Sequence, residues 1–479
     1  MKRIFAAALA LGLAATLAKI PSASAAPGGI TQQQQDELTA SYAYLVNDFY
    51  QKVEPQSVLD GERAGIVAYL KTAGIKEPKL PALKASTDEV NNVRELQREV
   101  GEASALYGNK VSTTKLAYAA ISGVVGSVKD RYTVFLDPKE YAELNEGLDG
   151  TSFGGVGLTY SIDDATKNIR VENVIPDGPS DKSGLRSDDE ISAINDRAVK
   201  DIIAGAALDV QQSRIQKLLR GDPGTKVKLA IVRADAPIDP ITVTRDTIKT
   251  PSVFAKMLPG DIGYAQLSVF GQNTGAELNA ALNRLQTQGA KAYVLDLRYN
   301  GGGYLNSAID VSSKFIPTGP IVSVKSRAGQ STEYDAENIA VTPRPLAVLV
   351  NAYTASASEI TAGAIEDSGV GTLIGTKTFG KGVVQTIFPL RDGSAVKITT
   401  ARYYTPDGHD INTVGIQPQI EADIPKGTKI RPGYPSDDPQ LTKALAFLQT
   451  KIDGTAAAAT SATANATDPA AVPGAPVVH

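Results

Sequence analysis

The residues best suited to chemistry lie between Asn351 and Gln385, in a stretch that reads NAYTASASEI and, further on, GTKTFGKGVVQ. Ser356 offers a hydroxyl, which is a weak nucleophile without a base. Histidine is the usual base, but the chain has only His409, in the turn-like TPDGHDI, and His479, its last residue. Cysteine is absent, which excludes a thiol nucleophile. A lysine serves as base when burial drives its pKa toward neutrality. Lys381, between Gly380 and Gly382, is the candidate. Gln385 follows at i+4. In an extended chain it faces the same way as Lys381 and can orient the amine.

The neighbouring sequence shows how these groups are held. Residues 345–350 (PLAVLV) read as a buried strand, and TASAS as a tight turn of small residues. Ile360, Ala364 and Ile365 recur at helical spacing, and Gly369 can end that helix. Ser356 is therefore placed at a strand-to-helix junction, near free N–H groups and the positive end of a helix dipole. VVQTIFPL, after Lys381, reads as another strand. GTKTFGKG (375–382) also fits the start of a phosphate-binding loop. The position that should be Ser or Thr is Gly382, and a strand rather than a helix follows, so nucleotide binding is disfavoured.

SASEI, with the spacing of Ser356, Lys381 and Gln385, resembles the carboxyl-terminal processing peptidases. That family uses a Ser–Lys pair supported by a glutamine, which implies Ser356 as nucleophile, Lys381 as base and Gln385 as support. The family motif usually begins with a serine where this chain has Thr354. The resemblance spans about Tyr132 to about Leu448. DLRYNGGG resembles the family's oxyanion segment. Acyl transfer needs N–H donors aimed at the developing oxyanion, and we assign these to Gly303, with Gly302 as the alternative, and to Ala357.

FGGVGLTY (153–160) looks like the start of a PDZ domain. Its Gly155-Val156-Gly157-Leu158 loop would turn N–H groups toward a peptide's terminal carboxylate. The peptide would then add to a sheet edge. DDEI (188–191) departs from the usual Gly-Asp before a strand. From Gly260, strands and helices alternate, with Leu278, Ala281, Leu282 and Leu285 on one helix face, which argues for an α/β core.

The expected architecture is multidomain α+β. It has a signal segment over 1–25, a helical region over 26–149, a PDZ domain over 150–248, and an α/β protease core of the ClpP/crotonase-like kind over 249–450. A disordered Ala/Thr/Pro-rich tail covers 451–479. The signal reading rests on Lys2 and Arg3, an apolar run to Ala18 and an Ala-x-Ala site at Ala23–Ala25. It implies export to the periplasm, cell envelope or exterior, with no membrane span after cleavage. In the helical region Leu38, Tyr42, Leu45 and Phe49 share a face; the resemblance implies a homodimer surface there. A formal charge of −4 without a basic block speaks against nucleic acid. No zinc pattern is present, and neither metal nor organic cofactor is expected. The expected function is a serine endopeptidase that cuts protein substrates near their C-termini. The alternative is a PDZ-type peptide-binding scaffold with an inactive hydrolase core.

Overall fold

The structure is a computed structural model. It describes residues 30–149, 152–163, 165–175, 178–186, 188–205, 208–249, 251–341, 343–425, 430 and 432–466. Residues 1–25, expected to be a signal, and His479 lie outside these residues. No described helix is long and apolar enough to cross a membrane. The chain divides into two compact units. One comprises residues up to Asn145, Val253–Phe270 and Thr274 onward, and the other is Glu146–Ser252 with Gly271–Asn273.

The first unit begins with helices Gln32–Asp48, Pro55–Thr72, Glu89–Tyr107 and Thr113–Gly126. Side chains of Thr31, Asp88 and Ser112 cap free N–H groups at three of their starts. Leu38, Tyr42, Leu45 and Phe49 are all buried, as their spacing predicts. Sequence alone suggests a separate helical region, but the helices share a core with Leu390, Val396 and Ile398 far along the chain. Tyr44 stacks on Phe388 at 4.3 Å, and the Tyr50 N–H donates to the Thr399 carbonyl at 2.9 Å. Alternation along the strand Ala395–Tyr404 presents Val396 and Ile398 to these helices.

That strand pairs antiparallel with Val134–Leu136, Pro320–Ser326 and Val383–Pro389. Beside this sheet stands a six-stranded one, in the order Val253–Leu258, Ile262–Leu267, Ala292–Asp296, Leu346–Val350, Thr372–Gly375, Ile420–Glu421. The first pair is antiparallel and the rest are parallel. Every residue of Ala292–Asp296 and Leu346–Val350 is buried, which is why these strands read as unbroken apolar runs. Helices Thr274–Thr287, Leu305–Ser313 and Ala357–Asp367 contribute to one apolar core. The last helix adds Leu441, Ala444 and Leu448 to another. It runs Pro439–Ala466, into the segment expected to lack structure. Alanine's high helix propensity outweighs the low complexity that suggested disorder.

The second unit is built on a seven-stranded sheet ordered Leu158–Ile162, Ile169–Val174, Glu190–Ile194, Lys226–Arg233, Ala236–Pro237, with two short strands attached. Helix Leu208–Leu219 precedes the turn into Lys226–Arg233, as expected. In DDEI, Asp188 holds a left-handed φ of 68° where glycine is usual, and Asp189 is buried against Arg233 at 2.7 Å.

Candidate active site

Leu346–Val350 ends at Asn351, and the chain turns over Thr354 into the helix that starts at Ala357. The Thr354 hydroxyl donates to the Leu297 carbonyl and accepts from the Asn351 N–H, both at 2.9 Å. Ser356 stands at the junction in a φ 59°, ψ −121° conformation. A side chain with a Cβ is strained there by about 1–3 kcal/mol, and such turns push a nucleophile out of the chain.

The glycine-rich segment lies alongside. The Ala355 N–H and the Ser358 hydroxyl both donate to the Asn300 carbonyl at 3.0 Å. A Cβ on Gly302 (φ 101°) would stand 2.7 Å from that of Ser356, so only glycine permits this approach. The Gly302 N–H donates to the Asn300 side chain at 2.9 Å. The N–H groups of Gly303 and Ala357 have no partner among the described hydrogen bonds. Tyr299 and Tyr353 project at the rim, 56% and 66% exposed, with rings stacked at 5.4 Å.

Lys381 approaches from the loop before the strand Val383–Pro389. What joins it to Ser356 is Glu359, a fully buried carboxylate. One oxygen, Oε2, accepts from the Ser356 N–H and the Lys381 N–H, each at 2.9 Å. The other accepts from the Gly380 N–H at 2.7 Å and the Thr378 hydroxyl at 2.6 Å. The backbones of the two candidate residues thus meet at a single atom. These N–H groups face a carboxylate and a strand follows, so the loop is not a phosphate cradle.

Sequence reasoning misses Glu359, although a local signal for it exists. Ser356-Ala-Ser-Glu359 is a capping-box pattern, in which the third helical residue reaches back to the cap N–H.

Burial, then the charge of Lys397, pulls the Lys381 ammonium down to about 8, and Arg131 adds to this; Glu359 and Asp130 oppose it. The ammonium lies over the Tyr132 ring, 4.8 Å from its centre. Arg131 sits over the rings of Tyr132 and Phe379 at 4.6 and 5.2 Å. Asp130, Arg131, Tyr132 and Lys397 carry no local motif, and folding alone brings them here.

Gln385 is placed differently from the period-two expectation. The strand starts only at Val383, and its register shifts between Val384 and Gln385. The extra residue, Thr400, belongs to the partner strand, so the break with the expectation lies at Lys381, which stands before the strand and outside its alternation. The Gln385 amide donates to the Val383 carbonyl at 3.3 Å and to the Thr399 hydroxyl at 3.5 Å. That hydroxyl is bonded to Asp130 at 2.5 Å. Asp296 and Arg298 do pair, at 2.6 Å, and Arg298 also holds Asp438 at 2.6 Å, so the last helix braces the glycine segment.

In the second unit Val156 is buried, and Gly157 takes φ 75°. The N–H groups of these two residues have no partner among the described hydrogen bonds. Leu158–Ile162 ends the strand order, so its outer edge pairs with no described strand. Among the described residues no group of three or more acidic, His or Cys side chains is arranged to hold a metal.

The α/β unit matches Peptidase family S41 over residues 261–422, and the second unit matches a PDZ domain over 170–233. These matches define a PDZ-containing peptidase. The chain is 36% identical over 325 residues to the carboxy-terminal processing protease CtpA of Bacillus subtilis (strain 168), covering 68% of this chain and 67% of that one. It is 37% identical over 313 residues to the carboxyl-terminal-processing protease of Synechocystis sp., covering 64% and 71%. A solved photosystem II D1 C-terminal processing protease aligns over 86% of this chain and 100% of its own, at 27% identity and a TM-score of 0.45. The chain belongs to the carboxyl-terminal processing proteases.

Proposed function

We propose that the protein is an exported endopeptidase that cuts protein substrates near their C-termini with Ser356 as nucleophile and Lys381 as base. The observation that carries this is the shared Glu359 oxygen, which holds the two main chains together. The second support is burial, which makes Lys381 neutral in a substantial fraction at mildly alkaline pH. Neutral Lys381 takes the Ser356 proton as the serine oxygen attacks the scissile carbonyl. The N–H groups of Gly303 and Ala357 receive the oxyanion; Gly302, whose N–H is engaged by Asn300, is the weaker choice. The ammonium then protonates the leaving amine, and water, deprotonated by the same lysine, releases the acyl group. Gln385 supports the lysine indirectly, through Thr399 and Asp130.

The loop Gly155–Leu158 is proposed to receive the substrate's terminal carboxylate, with the peptide lying along the open edge of Leu158–Ile162. The segment 1–25 is proposed as a cleaved export signal, and the N-terminal helices as a dimer surface; light scattering that finds a monomer removes the dimer.

The test is a fluorogenic peptide library carried with free and with amidated C-termini. Internal cleavage, with kcat/KM higher for the free acids, is expected. No cleavage of either set defeats the proposal, and equal cleavage defeats the carboxylate role.

The pH profile tests the base separately. Below about 8 Lys381 is mostly charged and inactive, so kcat/KM should rise through that region and level off above it. Lys397 depresses the lysine and Asp130 raises it. Lys397→Met should therefore move the limb to higher pH and Asp130→Asn to lower pH. A profile flat from neutral to alkaline pH counts against lysine as base.

A further inference from the structure

The strand Ala395–Tyr404 ends near the site with a phenol to which the reaction above gives no role. Tyr403 is 1% exposed. Its hydroxyl lies 2.6 Å from the Lys381 carbonyl oxygen and 3.1 Å from the Ser356 carbonyl oxygen. Its own N–H donates to the Gly382 carbonyl at 3.1 Å. Burial, and next the Glu359 charge, push its pKa well up, so the hydroxyl remains a donor at any working pH.

The two carbonyls differ in their other partners. That of Ser356 opens the helix and also accepts from the Glu359 and Ile360 N–H groups, at 2.7 and 3.0 Å. That of Lys381 has no other donor among the described hydrogen bonds. The Tyr403 hydroxyl is therefore the group that ties the lysine's carbonyl to the fixed end of the serine helix.

We propose that Tyr403 is a positioning residue: its one hydroxyl proton, directed at the Lys381 carbonyl and shared with that of Ser356, clasps the two carbonyl groups as Glu359 clasps their N–H groups. The inference rests on the reading of those two residues as nucleophile and base. The two clasps work on opposite sides of the same main-chain pair. A carbonyl and the following N–H share one rigid plane, so holding the Ser356 carbonyl also aims the Ala357 N–H, the proposed oxyanion donor. Lysine has a long, flexible stem, and fixing its main chain is the way to limit where its amine can go. Val396 and Ile398, on the same strand, are packed in the helical core, so the clasp is anchored to a rigid body.

A hydroxyl that merely satisfied a buried carbonyl would affect stability and leave chemistry alone. Tyr403→Phe keeps the ring and its packing and removes only the oxygen. We expect kcat to fall about 10- to 100-fold, the scale of a small misplacement of reacting groups. KM should stay close to wild type, and the melting temperature should fall modestly, because the Lys381 carbonyl loses its one described donor. A loosened Lys381 regains water, so the limb of the pH profile should move to higher pH. Reaction of Ser356 with a small sulfonyl fluoride, which needs no peptide binding, should slow in parallel. Placing 4-aminophenylalanine at 403 restores an N–H donor and should recover part of the lost kcat. Tyr403→Phe with wild-type kcat and pH profile overturns the clasp, as does a loss confined to melting temperature. Turnover retained by Ser356→Ala instead defeats the site reading beneath it.

Discussion

Ser356→Ala is expected to lower kcat by about 10⁵- to 10⁶-fold, the scale seen when a serine nucleophile that works as a unit with its base is removed. Substrate affinity should survive, because the hydroxyl bears on the reacting carbonyl rather than on the body of the peptide. Measurement of turnover and of peptide binding on the same preparation separates the two. The conformation of Ser356 adds a second expectation. At φ 59° and ψ −121°, alanine keeps the strained Cβ and glycine does not. Ser356→Gly should be as inactive as Ser356→Ala, yet more stable than it by about 1 kcal/mol. Residual turnover in both variants equal to wild type removes Ser356 from the mechanism. Glycine no more stable than alanine removes the strain argument while leaving the nucleophile intact.

Glu359→Ala should damage both stability and catalysis. The substitution leaves the N–H groups of Ser356, Gly380 and Lys381 and the Thr378 hydroxyl without their acceptor. Each buried donor left unpaired costs about 1–3 kcal/mol, reduced where water or local shifts replace the partner. We expect a total loss of about 3–5 kcal/mol, the range for breaking a buried charged network, read as a lower denaturation midpoint in urea. Activity should fall by more than about 10³-fold even under conditions where the variant is folded, because the common anchor of nucleophile and base is gone. Glu359→Gln restores the shape but offers an NH₂ where two N–H groups already point, so it should rescue stability in part and activity poorly. A folded Glu359→Ala protein with near wild-type kcat contradicts the anchoring role.

Much of the fold was readable where the chain's own periodicity carried the signal. Leu278, Ala281, Leu282 and Leu285 line a buried helix face as their spacing required. The strand over 346–350 followed from the apolar run, and the helix from Ala357 from the spacing of Ile360, Ala364 and Ile365. The alternation that was to bring Gln385 onto the side of Lys381 does not reach that far back, because the strand begins only at Val383, where pairing with a strand distant in sequence starts. The last helix was cut short because composition was weighed above alanine's local preference.

The sequence by itself determined the identities and spacing of Ser356, Lys381 and Glu359, the glycines that allow close approach, and the strand–turn–helix that presents the serine. These are local properties, fixed by steric limits and by hydrogen bonds between near neighbours. Only the tertiary structure decided that Tyr403 reaches both carbonyls, that Asp130, Arg131, Tyr132 and Lys397 surround the amine, and that the N-terminal helices share a core with the strand that carries Tyr403. Burial and electrostatic fields are sums over groups distant in the chain. The basicity of a lysine is therefore set by the folded surroundings and not by its neighbours in sequence.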